Sequence, residues 1–245
     1  MLWYHFALVI MFQVTHLPHS YQFSSCSDVV CVAALFCDEI VDGDDKLLDQ
    51  YKPSFNEGVS RRRRADFLAG RLCAAKALYQ LGSSELLVPL ASVPATPPLW
   101  PTDFVGSITH TEQFAAAAIA RQGTIKYLGV DAERIIGDEE CEEVASVISS
   151  ADELEQSAAC YFRPGELVSL LFSAKESVYK CFFSRLKSDL SFREIDISLE
   201  RNSSRFQFSF PEGPGDLPKH GEGAFSLDGT RVYSSVAQRH DGGFL

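Results

Sequence analysis

One helix in this chain has to be covered from two sides. From about Glu166 to Leu186, the residues Leu167, Leu170, Leu171, Ala174, Val178, Cys181 and Phe182 recur at helical spacing and form one apolar stripe. Phe172, Tyr179 and Phe183 lie on the opposite side, with Glu176 among them. A helix at the surface needs only one apolar stripe, so this one is predicted to be covered on both sides. A carboxylate in that setting is partly desolvated and needs a partner. Lys180, one turn on, is one such partner, in a pairing worth about a few tenths of a kcal/mol. A bound cation is the other.

The remaining pattern supplies the sheets. Val29 to Phe36 reads as a strand, Ser60 to Leu81 as a helix stopped by Gly82, and 91–101 as a proline-rich loop. Phe104 to Thr109 and Phe114 to Ala120 form a strand–turn–strand, and Ile125 to Val130 a strand that delivers Asp131 at its end. The acidic stretch Asp138 to Gln156 is predicted to be helical. Beyond the long helix come strands over Glu194 to Leu199 and Arg205 to Phe210, then a hairpin through Asp228-Gly229 that joins Ala224–Leu227 to Val232–Ala237. The expected fold class is α+β, in halves 1–123 and 124–245, each with antiparallel strands and a long helix.

An excess of 33 acidic over 22 basic residues, a net charge of −11, argues against sequence-independent nucleic-acid binding. An anionic ligand must therefore be drawn by a local basic patch. The cysteines number seven, an odd count without a Cys-x-x-Cys pair, which suits a reducing cytoplasm better than a disulfide framework. Met1 to Phe12 is apolar but too short to span a membrane, and it lacks the basic start of an export signal. It is read as a buried strand or an unreliable start.

The polar residues that stand out form four groups. Asp131 and Glu133 lie two apart, on one face of an extended segment, so their carboxylates converge. That suits magnesium with an incomplete oxygen shell, or else a solvated strand end with Glu133 paired to Arg134. Glu176 is the third carboxylate. The run Arg61 to Arg64 opens a helix, where cations oppose the macrodipole. It is either a solvated basic face or, with Arg71, Lys76 and an interior Gly70 that implies close approach, a phosphate site. His110 ends Gly-Ser-Ile-Thr-His, where it is either structural or, beside Ser107, Thr109 and Thr111, a phosphate donor.

In order, the chain reads Arg-Arg-Arg-Ala-Asp-Phe-Leu-Ala-Gly-Arg (62–71), Leu-Trp-Pro (99–101), Gly-Ser-Ile-Thr-His (106–110), Leu-Gly-Val-Asp-Ala-Glu (128–133) and Phe-Ser-Ala-Lys-Glu-Ser-Val-Tyr-Lys (172–180). Over about residues 60–186 this closely resembles the 4'-phosphopantetheinyl transferases, of the enterobactin-synthetase component D type. The resemblance implies two similar α+β halves around a pseudo-twofold, with one site at their junction in a monomer. It implies transfer of the phosphopantetheine arm of coenzyme A to a serine of an apo acyl- or peptidyl-carrier protein, releasing 3',5'-ADP. Magnesium would be held by Asp131, Glu133 and Glu176, with Glu176 also the base and Lys180 on the diphosphate. Arg63, Arg64, Arg71, Thr109, His110 and Lys175 would hold the coenzyme phosphates.

The chain departs from the pattern at Ala75 and near Thr96, where many relatives carry an arginine; Lys76 is the available substitute. A magnesium-dependent phosphohydrolase using the same carboxylates, and a non-catalytic coenzyme A or polyanion-binding module, are the competing readings.

Overall fold

Two antiparallel sheets, each backed by one long helix, make up the computed structural model. It describes residues 11–13, 21, 29–43, 46–51, 58–88, 98–158, 162–186, 190–200, 202–210 and 217–245. The apolar residues 1–10, Cys26, Pro94, Thr96, Pro97, Cys160 and residues 211–214 lie outside them.

The first sheet has the order β1 (Met11–Gln13), β2 (Val29–Phe36), β4 (Phe114–Arg121), β3 (Phe104–Thr111). The second runs β5 (Ile125–Arg134), β9 (Arg231–Arg239), β8 (His220–Leu227), β7 (Arg205–Ser209), β6 (Asp196–Leu199). Every pairing is antiparallel, and the change of sheet falls in the turn between Arg121 and Ile125. The fold is α+β.

A short helix, α1 (Lys46–Tyr51), precedes the first long one, α2 (Arg61–Gln80). The Ser60 hydroxyl starts α2 by accepting from the Arg63 N–H at 3.2 Å. Gly82, at φ +76°, ends it as predicted, and the Ser83 N–H returns to the Leu78 carbonyl at 3.0 Å. The basic run does not crowd the helix start unopposed, because Arg61 pairs with Asp42 and Arg62 with Asp38 and Asp66.

Strand β4 explains how the layers stack. Its run Phe-Ala-Ala-Ala-Ala-Ile-Ala is buried on both faces. Ala115, Ala117 and Ile119 join the core beneath α2, while Phe114, Ala116, Ala118 and Ala120 pack between the two sheets with Leu128, Val130 and Tyr233. Small side chains on both faces let the layers approach closely, giving the order α2, first sheet, second sheet, α5 (Pro164–Phe182). Leu170, Leu171, Ala174, Val178 and Phe182 of α5 fill the core over the second sheet. Full burial of a side chain such as Phe182 contributes up to about 3 kcal/mol.

The second stripe of α5 is covered as well. Phe192, on a short 3-10 turn, stands edge-on to Phe172 at 5.6 Å and to Tyr179 at 6.2 Å.

The helix expected over Asp138 to Gln156 is in fact two, α3 (Cys141–Ile148) and α4 (Ala151–Ala158), after a 3-10 turn at Asp138–Glu140. Ser149 turns extended, and the Ser150 hydroxyl caps a new helix by accepting from the Glu153 N–H at 3.1 Å. Strand β5 also outruns its expected end. It pairs with β9 through Arg134, so Asp131 and Glu133 sit inside the ladder, opposite Ser234 and Val232. No helix among the described residues is long and apolar enough to cross a membrane.

Candidate active site

Gly129 brings the two acidic segments together. A Cβ at this position would stand 2.0 Å from the Ser177 carbonyl oxygen and 2.6 Å from the Cys181 nitrogen, so α5 lies directly on β5. Asp131, two residues on and on the same strand face, therefore meets the same helix at Lys180. Its Oδ1 accepts from Lys180 Nζ at 2.5 Å, and Lys180 also reaches Glu176 Oε2 at 3.8 Å.

The first sheet braces this strand. Ser107 and Thr109 lie on one face of β3 and substitute their hydroxyls for ladder partners. Ser107 Oγ accepts the Val130 N–H at 3.0 Å, and Thr109 Oγ1 accepts the Ala132 N–H at 3.1 Å. The Thr109 hydroxyl then donates to Asp131 Oδ1 at 3.1 Å. The buried Tyr21 hydroxyl donates to the Asp131 carbonyl. Asp131 is only 1% exposed, and its Oδ2 has no hydrogen-bond partner among the described residues.

The electrostatics follow from crowding. Desolvation, then Asp131, pushes Glu133 up to about 8, while Lys180 pulls the other way. Glu176 is raised by desolvation against the pull of Lys180. Desolvation would lower Lys180, but Asp131, Glu176 and Glu133 together raise it, so it stays an ammonium. His110, next to the last residue of β3, is lowered by desolvation; Asp66 opposes this and Lys180 adds to it, with Asp131 and Arg63 also in range. His110 thus brings strand β3 into the field of Asp131, with Arg63 in range of the same imidazole.

Among the described residues, no three carboxylate, histidine or cysteine side chains are gathered closely enough to enclose a cation by themselves. The Lys180 ammonium stands between them. The donor set nevertheless fits a hard divalent cation. It is all oxygen, one oxygen is buried and orphaned, and the shell is partial, as for magnesium that keeps waters and substrate oxygens. The alternative of Glu133 paired with Arg134 is not what forms, since Arg134 bridges Glu112 at 3.1 Å and Glu140 at 3.5 Å.

Several expected phosphate ligands are placed elsewhere. Lys175 is wholly buried, with all three ammonium protons donated, to Ile148, Glu153 and Phe192. It has no donor left for a coenzyme phosphate. The Thr109 hydroxyl is likewise occupied, so it orients Asp131. Arg71 is buried, donates to the Val88 carbonyl at 3.0 Å and lies over the Phe67 ring, and burial lowers it to about 10. Arg64 donates Nε to the Val59 carbonyl at 3.0 Å. The close approach implied by Gly70 is that of Ile108, whose Cγ2 would lie 2.6 Å from an added Cβ. Ala75 is fully buried.

Sequence reasoning missed Tyr21, Asp66 and the buried Glu153–Lys175 pair. It passed over the part played by Gly129, although a glycine inside a strand is itself a signal of close backbone approach. A cavity of about 390 Å³ lies between α4 and strands β6 to β8, lined by Asp152, Glu153, Asp196 and His220 among others, and contains none of the expected site residues.

The halves of the site match two family descriptions in chain order. Residues 55–120 match the 4'-phosphopantetheinyl transferase N-terminal domain, and residues 127–223 the 4'-phosphopantetheinyl transferase superfamily. The chain belongs to the 4'-phosphopantetheinyl transferase superfamily. Within it, the chain is similar to enterobactin synthase component D of Salmonella typhimurium, at 37% identity over 132 residues and 52% of each chain. The Escherichia coli (strain K12) protein of that name is 34% identical over 143 residues, covering 57% of this chain and 63% of the relative. The 4'-phosphopantetheinyl transferase Svp of Streptomyces mobaraensis is 34% identical over 147 residues, 59% of this chain and 58% of the relative. The aligned region spans less than two thirds of each relative's own length, beginning at about half.

Proposed function

We propose that this protein transfers the 4'-phosphopantetheine arm of coenzyme A to a serine of an apo acyl- or peptidyl-carrier protein, with magnesium, releasing 3',5'-ADP. One observation carries the reading: Asp131 is buried, with an oxygen that has no partner among the described residues, beside Lys180, Glu133 and Glu176, and His110 of the other half lies in the field of Asp131 and Lys180. Family membership and the names of the relatives support it. Asp131, Glu133 and Glu176 would hold the magnesium, which when bound neutralises the diphosphate and stabilises charge on the leaving group.

The chain's own groups do the rest. Arg63 and His110 bind the phosphates of coenzyme A from the first half. Lys180 carries a fixed positive charge to the diphosphate while holding Asp131 and Glu176 in register. Glu176, raised above the usual carboxylate range, takes the serine Oγ proton as the oxygen attacks the phosphorus that bears pantetheine. The bond to 3',5'-ADP breaks in the same displacement. The halves 1–123 and 124–245 act as one monomeric unit in the cytoplasm, with the site at their junction.

The test is to incubate the purified protein with magnesium, coenzyme A and several apo carrier domains. Intact mass should show one phosphopantetheine added per carrier. No mass change on any carrier would defeat the proposal, and breakdown of coenzyme A without a carrier would replace it with hydrolysis.

A further inference from the structure

We infer that Lys175 is a positioning residue, whose buried ammonium ties four separate segments to the turn of α5 that carries Glu176 and so seats that carboxylate. This rests on the role given to Glu176 above.

Lys175 donates to the Ile148 carbonyl at 2.7 Å, to Glu153 Oε2 at 2.7 Å and to the Phe192 carbonyl at 3.1 Å. An ammonium has three donors, and all three are met. Glu153, itself 5% exposed, turns its other oxygen to the Ile197 N–H at 2.7 Å. One ion pair thus joins the end of α3, the first turn of α4, the 3-10 turn at Phe192 and strand β6 to the middle of α5.

Stability alone is a weak reason for such a pair. Replacing a buried ion pair by packed apolar groups is often neutral or stabilising. The geometry supplies a stronger one. Phe192, gripped by its carbonyl, sets its ring against Phe172 and Tyr179, the aromatics that share Glu176's side of the helix. Burial, and after it the Glu176 charge, raise the Tyr179 hydroxyl. The wall beside Glu176 is therefore held by the residue immediately before it. The two lysines of α5 divide the work: Lys180 faces Asp131 and Glu176, and Lys175 anchors the opposite side.

The decisive variant is the double substitution Lys175→Met with Glu153→Gln, which removes both charges and keeps an acceptor for Ile197. Lys175→Met alone strands a buried carboxylate and is expected to unfold. The double variant should melt close to the parent and keep its KM for coenzyme A, while kcat falls about 10- to 100-fold, the range seen when outer supports of a site are removed. Amide hydrogen exchange should accelerate over 172–180 and 192–197 but not over 61–80. An unchanged kcat in the folded double variant would reduce Lys175 to a structural residue. A raised KM with kcat intact would return it to the coenzyme. If the parent modifies no carrier, the transfer reading has failed separately, and exchange decides: acceleration around Glu176 supports the positioning role, and unchanged exchange there overturns it.

Discussion

The carbonyl oxygen of Ser177 occupies the space in which a side chain on Gly129 would begin, 2.0 Å from the ideal Cβ position. Backbone cannot step aside as the end of a side chain can. An alanine at 129 therefore has to lift α5 from β5, and with it Lys180 and Glu176 from Asp131. Gly129→Ala is expected to cost about 3 kcal/mol, the upper range for overpacking a core. Thermal denaturation should show a fall of roughly 6–12 °C for a chain of this size. A melting point equal to the parent's would mean that the helix is not seated by this contact.

The metal-free protein should lose stability as pH rises. Glu133 is an ordinary carboxyl near 4.5 when unfolded, but is held at about 8 when folded. Between those values the folded state binds the extra proton, so the slope of stability with pH is negative. The contribution is fully present below about pH 4.5 and is lost as pH passes through about 8. It is expected to be on the order of 5 kcal/mol. Denaturant titrations in chelator from pH 5 to 9 should show the decline, and Glu133→Gln should flatten it. Magnesium, which replaces the proton, should bind more tightly as pH rises over the same span.

Removing the ammonium between the carboxylates should increase the demand for a metal. Lys180 is the only hydrogen-bonded cation that reaches Asp131 Oδ1 among the described residues. Lys180→Met is expected to destabilise the metal-free protein by about 3 kcal/mol, because a buried carboxylate loses its partner. Magnesium should then raise the melting point of the variant more than that of the parent. Equal magnesium shifts would separate Lys180 from the proposed cation site.

Much of this architecture was legible because it rests on periodicity. The two stripes of α5 predicted cover on both sides, and the structure finds the second sheet on one and Phe192 on the other. The break between α3 and α4 was not foreseen, although Ser150-x-x-Glu153 has the spacing of a capping box. The expectation of one helix rested on the acidic run and the apolar rhythm of Val144, Val147 and Ile148 alone. The division of labour between the two lysines was not legible. Lys175 and Lys180 are five residues apart, about 140° around the helix at roughly 100° per residue. Which of them faces the carboxylates depends on where β5 crosses, and that is a tertiary fact. Gly70 announced a close neighbour, but nothing local said it would be Ile108 rather than a phosphate. The hydroxyls of Ser107 and Thr109 likewise point at a strand of the other sheet, a meeting that alternation within β3 does not predict.

Thr109 offers a direct test of that strut. Its hydroxyl accepts from Ala132 and donates to Asp131, both at 3.1 Å, in a site with almost no solvent. Thr109→Val keeps the shape and removes both bonds, leaving the Ala132 N–H unpaired, at an expected cost of about 1–3 kcal/mol. Asp131 then loses one of the two groups that aim its Oδ1. If the hydroxyl orients the carboxylate, kcat should fall roughly tenfold with little change in the KM for coenzyme A, and Thr109→Ser should restore it. If the hydroxyl instead reached a coenzyme phosphate, KM would rise while kcat held. Steady-state kinetics of the three proteins at saturating magnesium separates the two roles, because only orientation acts on the chemical step without touching the affinity for coenzyme.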